Sequence, residues 1–210
     1  MPLVAVLLSL TACSKPETLN CDSAYQAIAV IQGNTEQSPL LGQQVVTRGA
    51  VIANVYPDSP LPGLMLQSLN ADDDQQTSKG LFIQLAEASD YQQGDVLLLQ
   101  GTVAEINDLT SLTDISHVSR CAGEPQLSAT AVKLPLSDQL NFEALEGMWL
   151  SFPQDLIVTD SYQLGRYGEL ILADERLIVP TEIKLPGTEA NQYGEQQLRR
   201  MLVLDDGSWQ

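Results

Sequence analysis

Two long runs rich in β-branched residues and leucine each carry a glycine at their centre, and this feature constrains the fold most. Gln44 to Val55 holds Val45, Val46, Val51, Ile52 and Val55 around Gly49. Val96 to Ile106 holds Leu97, Leu98, Leu99 and Val103 around Gly101. A glycine inside a strand marks a bulge, a sharp bend or the close approach of another backbone, as at the corner of a small barrel. Shorter strand signals accompany them at Leu64–Leu69, Gly80–Leu85 and Leu109–Val118. Prolines 57, 60 and 62 and the polar loop Asn70–Ser78 separate the runs.

Five strands, two of them long and bent, predict an all-β chain whose first domain, residues 23–122, is a Greek-key barrel of the OB type. A β-sandwich is the alternative that periodicity leaves open. Residues 123–140, with Pro125 and Pro135, read as a connector containing one extended stretch. A second, small β-rich domain follows over 141–210, with strand signals at Gly147–Phe152, Leu156–Thr159, Gly168–Ala173, Arg176–Pro180 and Met201–Leu204. The helical signal there is Asn191–Arg200, polar and of modest periodicity.

Residues 1–22 read as an address and a tether. Pro2–Leu10 is an apolar run too short to span a bilayer, and it closes with Leu10-Thr11-Ala12-Cys13. That pattern resembles a bacterial lipobox, in which the cysteine becomes the lipid-bearing first residue of the mature chain. No Lys or Arg precedes Lys15, so the positive leading region of such signals is missing. With Cys13 lipidated, Cys21 and Cys121 remain, and an oxidising envelope compartment favours their disulfide over two buried thiols. The chain is expected to be exported, either anchored to the outer membrane through lipid or extracellular.

Charge and inventory exclude several chemistries. Ten Lys+Arg against 27 Asp+Glu give a formal charge of −17, opposite to what a protein coating nucleic acid by bulk charge needs. One His and three Cys assemble no His-rich zinc site and no Cys₄ finger. The sole His117 lies on a strand signal and reads as a packing residue. There is no P-loop, no dinucleotide fingerprint and no Gly-x-Ser-x-Gly elbow. Asp72, Asp73 and Asp74 lack the alternating ligands of a calcium loop and read as a solvated acidic stretch. Candidate nucleic-acid contacts are Arg48 and Phe82 on the barrel, and Arg166 with Tyr167 in the loop Tyr162–Glu169. A cation and a stacking face serve a single strand; a plain β-turn is the competing use of Arg166 and Tyr167.

The order of landmarks carries a resemblance. Ile31-Gln32-Gly33, Ser38-Pro39-Leu40-Leu41-Gly42, Val46–Val51, Gly80–Ile83, Gly94-Asp95-Val96, Gly101-Thr102-Val103 and Cys121 are followed by Glu146-Gly147-Met148 and Val158-Thr159. Then come Tyr162–Leu170, Pro180-Thr181 and Leu204–Gly207. The chain resembles the N-terminal region of the ExeM/NucH-type extracellular bacterial nucleases, with Leu164–Glu169 the most specific part. The resemblance implies an OB-like domain and a β-rich segment ahead of a metal-dependent, DNase I-like endonuclease domain. That domain is not in this sequence, and Ser78-Lys79-Gly80 puts a base where the family carries an acid.

The expected role is a non-catalytic accessory module of an exported DNA-degrading nuclease. Its expected partners are DNA, weakly, the membrane through lipid, and a nuclease domain encoded downstream. No cofactor is expected in this chain; Mg²⁺ or Ca²⁺ would belong to the missing domain. The alternative is a structural spacer of the envelope with no nucleic-acid contact. Activity as an enzyme is not expected of the chain alone, because paired histidines cannot be assembled from His117.

Overall fold

A computed structural model describes residues 18–55, 62–69, 74 and 76–205. A short helix, α1 (Ile28–Gln32), precedes five strands: β1 (Gln44–Val55), β2 (Gly63–Gln67), β3 (Gly80–Gln84), β4 (Val96–Ile106) and β5 (Leu109–Cys121). They form a closed barrel in the order β1-β2-β3-β5-β4. Closure depends on β1 serving two partners. Its residues Gln44–Ala50 pair with β4, and Ala50–Val55 pair with β2. The other seam is the parallel pair β3–β5, with Phe82 opposite Ser111 and Ile83 opposite Leu112.

The run Val96-Leu97-Leu98-Leu99 shows why β4 does not alternate apolar with polar. Leu97 and Leu99 point into the barrel core with Val51, Leu66, Leu81 and Leu112. Val96 and Leu98 point outward, yet they are buried in a second cluster with Cys121, Leu19, Cys21 and Val46. A strand covered on both faces reads as a continuous apolar run. Each fully buried leucine contributes about 2 kcal/mol of transfer free energy. The Cys21–Cys121 disulfide is formed, with Cα atoms 5.5 Å apart, and pins the N-terminal segment over this outer face.

The two central glycines act differently. At Gly101 the β4–β5 register shifts between Gln100 and Thr102, and a Cβ there would run into Leu112 and the Thr113 carbonyl. The expected bend is therefore present in β4. In β1 the irregularity lies between Val51 and Ala53, not at Gly49. Gly49 instead makes room: a Cβ would sit 3.1 Å from Ile28 Cδ1 and 3.0 Å from the Gln67 carbonyl oxygen. That space lets α1 lay Ile28 and Ile31 into the barrel core.

The second region is less regular. β6 (Thr130–Ala131) pairs in parallel with β7 (Leu150–Ser151). β8 (Ile157–Asp160), β9 (Glu169–Ala173) and β10 (Met201–Asp205) form an antiparallel sheet in the order β10-β9-β8. Its helices are α2 (Leu164–Tyr167), α3 (Pro180–Ile183) and α4 (Thr188–Leu198). The expected connector is not a mere link, because Val132, Leu134 and Leu136 form this region's core with Leu145. The strand expected at Arg176–Pro180 is absent: Pro180 cannot donate to a ladder and occupies the first turn of α3. Of Gly147–Phe152, the pair Leu150–Ser151 alone is strand. The helix expected from Asn191 starts at Thr188. Arg200 closes the fold locally, forking onto Asp174 at 2.7 and 2.9 Å and reaching Glu175. The Arg200 guanidinium holds the Asp174 carboxyl below its usual range.

Candidate functional site

The most constructed surface lies where the second region meets the barrel. Inward residues of β2 and β3 alternate with outward ones, so Met65, Gln67, Gly80 and Phe82 face away from the core. Together they make up the outer β2–β3 face. Here residues 143–150, which we call the strap, lie across it. A short 3₁₀ turn at Glu143–Leu145 leads in, anchored by Ala144 N–H donating to Asn141 Oδ1 at 2.9 Å. Gly147 follows with φ of +62°, a left-handed turn that suits glycine.

Backbone then meets backbone. A Cβ at Gly80 would occupy the space of the Gly147 carbonyl group, so the absence of a side chain at Gly80 permits the contact. The Ser78 hydroxyl donates to the Glu146 carbonyl and accepts from Gly80 N–H at 3.0 Å. Trp149 N–H donates to Gln67 Oε1 at 3.0 Å, and Gln67 Nε2 donates to the Ser128 carbonyl.

The Glu146 side chain is the key of this contact. Its Oε1 accepts from Thr110 N–H of β5 at 2.8 Å and from Gln32 Nε2 at 3.3 Å. Gln32, 3% exposed at the end of α1, donates also to the Gly80 carbonyl at 2.7 Å. One carboxylate thus joins the strap to α1 and β5, with Gln32 extending the link to β3. Burial pushes the Glu146 carboxyl up to about 7, with its two hydrogen bonds opposing the rise and the carboxylates of Glu143 and Glu105 adding to it. Glu143 is also raised, by burial first and then by Glu105, Glu36 and Asp108.

Two clefts flank the strap. One, about 330 Å³, is lined by Asp74, Lys79, Thr130, Leu145 and Met148. The other, about 400 Å³, is lined by Ile52, Met65, Gln93, Trp149 and Leu150.

The sequence-predicted contacts do not converge here. Phe82 is 2% exposed, so its ring offers no open stacking face. Arg48 lies beside the disulfide, where Nη1 reaches the Cys21 carbonyl at 3.4 Å, and its Nε is buried without a partner among the described residues. Arg166 stacks on its own neighbour, 4.9 Å from the Tyr167 ring centroid, in the single turn α2 that Gly168 ends at φ +73°. These residues thus sit on separate surfaces. His117 pairs with Ser119 at 2.7 Å, as a strand residue contacting the next one on its face. Asp74 accepts from Gln76 N–H; Asp72, Asp73 and Cys13 lie outside the described residues. Among the described residues no group of three or more His, Cys, Asp or Glu is placed to hold a metal ion, and no helix is long and apolar enough to cross a membrane.

Sequence reasoning missed Glu146 and Trp149 as contact residues. The faint signal was Glu146-Gly147 inside an otherwise apolar stretch, which any turn produces. Comparison with family models, curated proteins and solved structures finds no match to this chain.

Proposed function

We propose that the chain is a non-catalytic accessory module of an exported DNA-degrading nuclease of the ExeM/NucH type, and that its barrel is of the OB type. The closed order β1-β2-β3-β5-β4 supports the second part, and the landmark order in the sequence supports the first. Within this reading the module acts as a structural body before it acts as a nucleic-acid platform. The observation that carries this is the strap: at Gly80 and Gln67 the outer β2–β3 face is met by the chain itself, and Phe82 on that face is buried. A charge of −17 works in the same direction.

Fluorescence anisotropy with single- and double-stranded DNA, at low salt and pH 6 with Mg²⁺ or Ca²⁺, tests this. The expected result is no saturable binding, and salt-sensitive binding there refutes the structural reading. Supercoiled plasmid incubated with the chain and Mg²⁺, Mn²⁺ or Ca²⁺ should stay uncut. The anchor is tested separately by labelling with a palmitate analogue, which Cys13→Ser should abolish; unchanged labelling refutes it.

A further inference from the structure

We propose that residues 143–150 form a carboxyl-keyed strap that docks on the outer β2–β3 face in acidic medium and loosens as the medium approaches neutrality. The inference stands on the contact itself and holds whatever the module's role.

The geometry concentrates the hold on one ionisable side chain. Glu146 Oε1 takes the hydrogen bonds of Thr110 N–H and Gln32 Nε2, leaving Oε2 to carry a proton. The remaining ties of the strap are neutral: Ser78 to the Glu146 carbonyl, Trp149 N–H to Gln67, and the Gly80–Gly147 approach. None of these changes with pH.

The surroundings disfavour a charge at Glu146. Glu105 of β4 is held nearby, accepting from Ser38 N–H at 2.8 Å and from the Thr110 hydroxyl at 3.1 Å. Glu143 stands on the strap itself, and Glu36 and Asp108 act on Glu143 from the neighbouring loops. The groups from α1 and β3 that touch Glu146 or its backbone, Gln32, Gly80 and Ser78, are uncharged. Lys79 lines the adjacent cleft with Asp74.

The sign follows from linkage. The docked carboxyl titrates near 7 and a freed one at its ordinary 4.5, so the docked form binds the proton more tightly. Docking is therefore undiminished below about 4.5, weakens as pH rises toward 7, and loses nothing further above it. Between those limits the docked-to-free ratio falls about tenfold per pH unit. Release frees Met65 and Gln67, so the strap is a cover on that face.

The test is hydrogen exchange of the full chain at pH 5.5 and 8.5, corrected for intrinsic rates. Fluorescence of Trp149 in a Trp209→Phe background, which leaves it the sole tryptophan, gives the midpoint. Strap and β3 amides should exchange about tenfold faster, or more, at pH 8.5. Glu146→Gln keeps the acceptor and removes the charge, and should exchange alike at both pH values. Glu143→Gln removes a neighbouring carboxylate that disfavours the charged Glu146 and should narrow the difference in exchange between the two pH values, which keeps the test decisive if the first variant misfolds. Equal corrected exchange at both pH values in the wild type overturns the proposal. So does a transition that Glu146→Gln retains, or a pH difference in exchange that Glu143→Gln leaves undiminished.

Discussion

The barrel strands close on one another, while in the sheet of the second region β8 and β10 are edges, with no further partner strand among the described residues, on either side of β9. The difference extends to packing. Leu64, Leu81, Leu97 and Leu112 are fully buried, whereas Ile157, Val158, Val203 and Leu204 are about half exposed. A closed barrel satisfies every interior ladder within itself and needs no neighbour. The second region draws its core from the segment Val132–Leu136 and from the strap, and the same strap carries its contact with the barrel. A barrel closed on itself, set against a small open sheet coupled to it through the strap, is the lesson of the contrast.

The contrast is most severely tested by opening the disulfide. Cys121→Ala together with Cys21→Ala should cost about 4–5 kcal/mol by the chain-entropy account for a loop of 100 residues, read by urea unfolding. That loss should appear in the barrel transition. Leu97→Ala, inside the barrel, is expected to cost about 3–4 kcal/mol through lost burial and an unfilled cavity. Gly80→Ala should cost about 2 kcal/mol by overpacking against Gly147, and it should separate the unfolding of the two regions into distinct transitions. A single unchanged transition in Gly80→Ala would contradict the docking role of that contact.

Smaller effects sharpen the picture in the second region. Arg200→Ala should cost about 1–2 kcal/mol by removing a forked, partly buried pair with Asp174. Because the Asp174 carboxyl is held below its ordinary 3.8, the pair's contribution is full above that value and is lost as pH falls through the lowered one. Acid unfolding of Arg200→Ala should therefore show less pH dependence in that acid range than the wild type. Leu204→Thr, on the open edge β10, should change stability by less than about 0.5 kcal/mol. A large loss there would mean that the edge is covered in solution.

How much of this is readable in the sequence follows the same division. Strand signals at Gln44–Val55 and Val96–Ile106 coincide with β1 and β4, because strands packed on one or both faces must be apolar and β-branched over their full length. The Cys21–Cys121 disulfide is expected from the sequence once the expected lipid anchor sets Cys13 aside. In the second region, Arg176–Val179 looks like a strand by composition, yet it runs into Pro180 and finds no partner strand among the described residues. The docking contact is hidden for a different reason. It rests on missing atoms at Gly80 and Gly147 and on a single glutamate paired with Thr110 across 36 residues, none of which leaves a periodic trace. Phe82 misleads because outward placement on β3 suggests exposure, while its ring is buried, lying against Gly63 of β2.

The position of the disulfide has a mechanical consequence. All five barrel strands, from Gln44 to Cys121, lie inside the covalent loop that Cys21 and Cys121 close. Tension applied between the segment before Cys21 and the chain after Cys121 passes straight through the sulfur bridge. The barrel then hangs beside the line of force as an unloaded side loop. Pulling by optical tweezers at residues 18 and 205 should extend the second region alone, and the hidden length of the barrel should appear only after reduction.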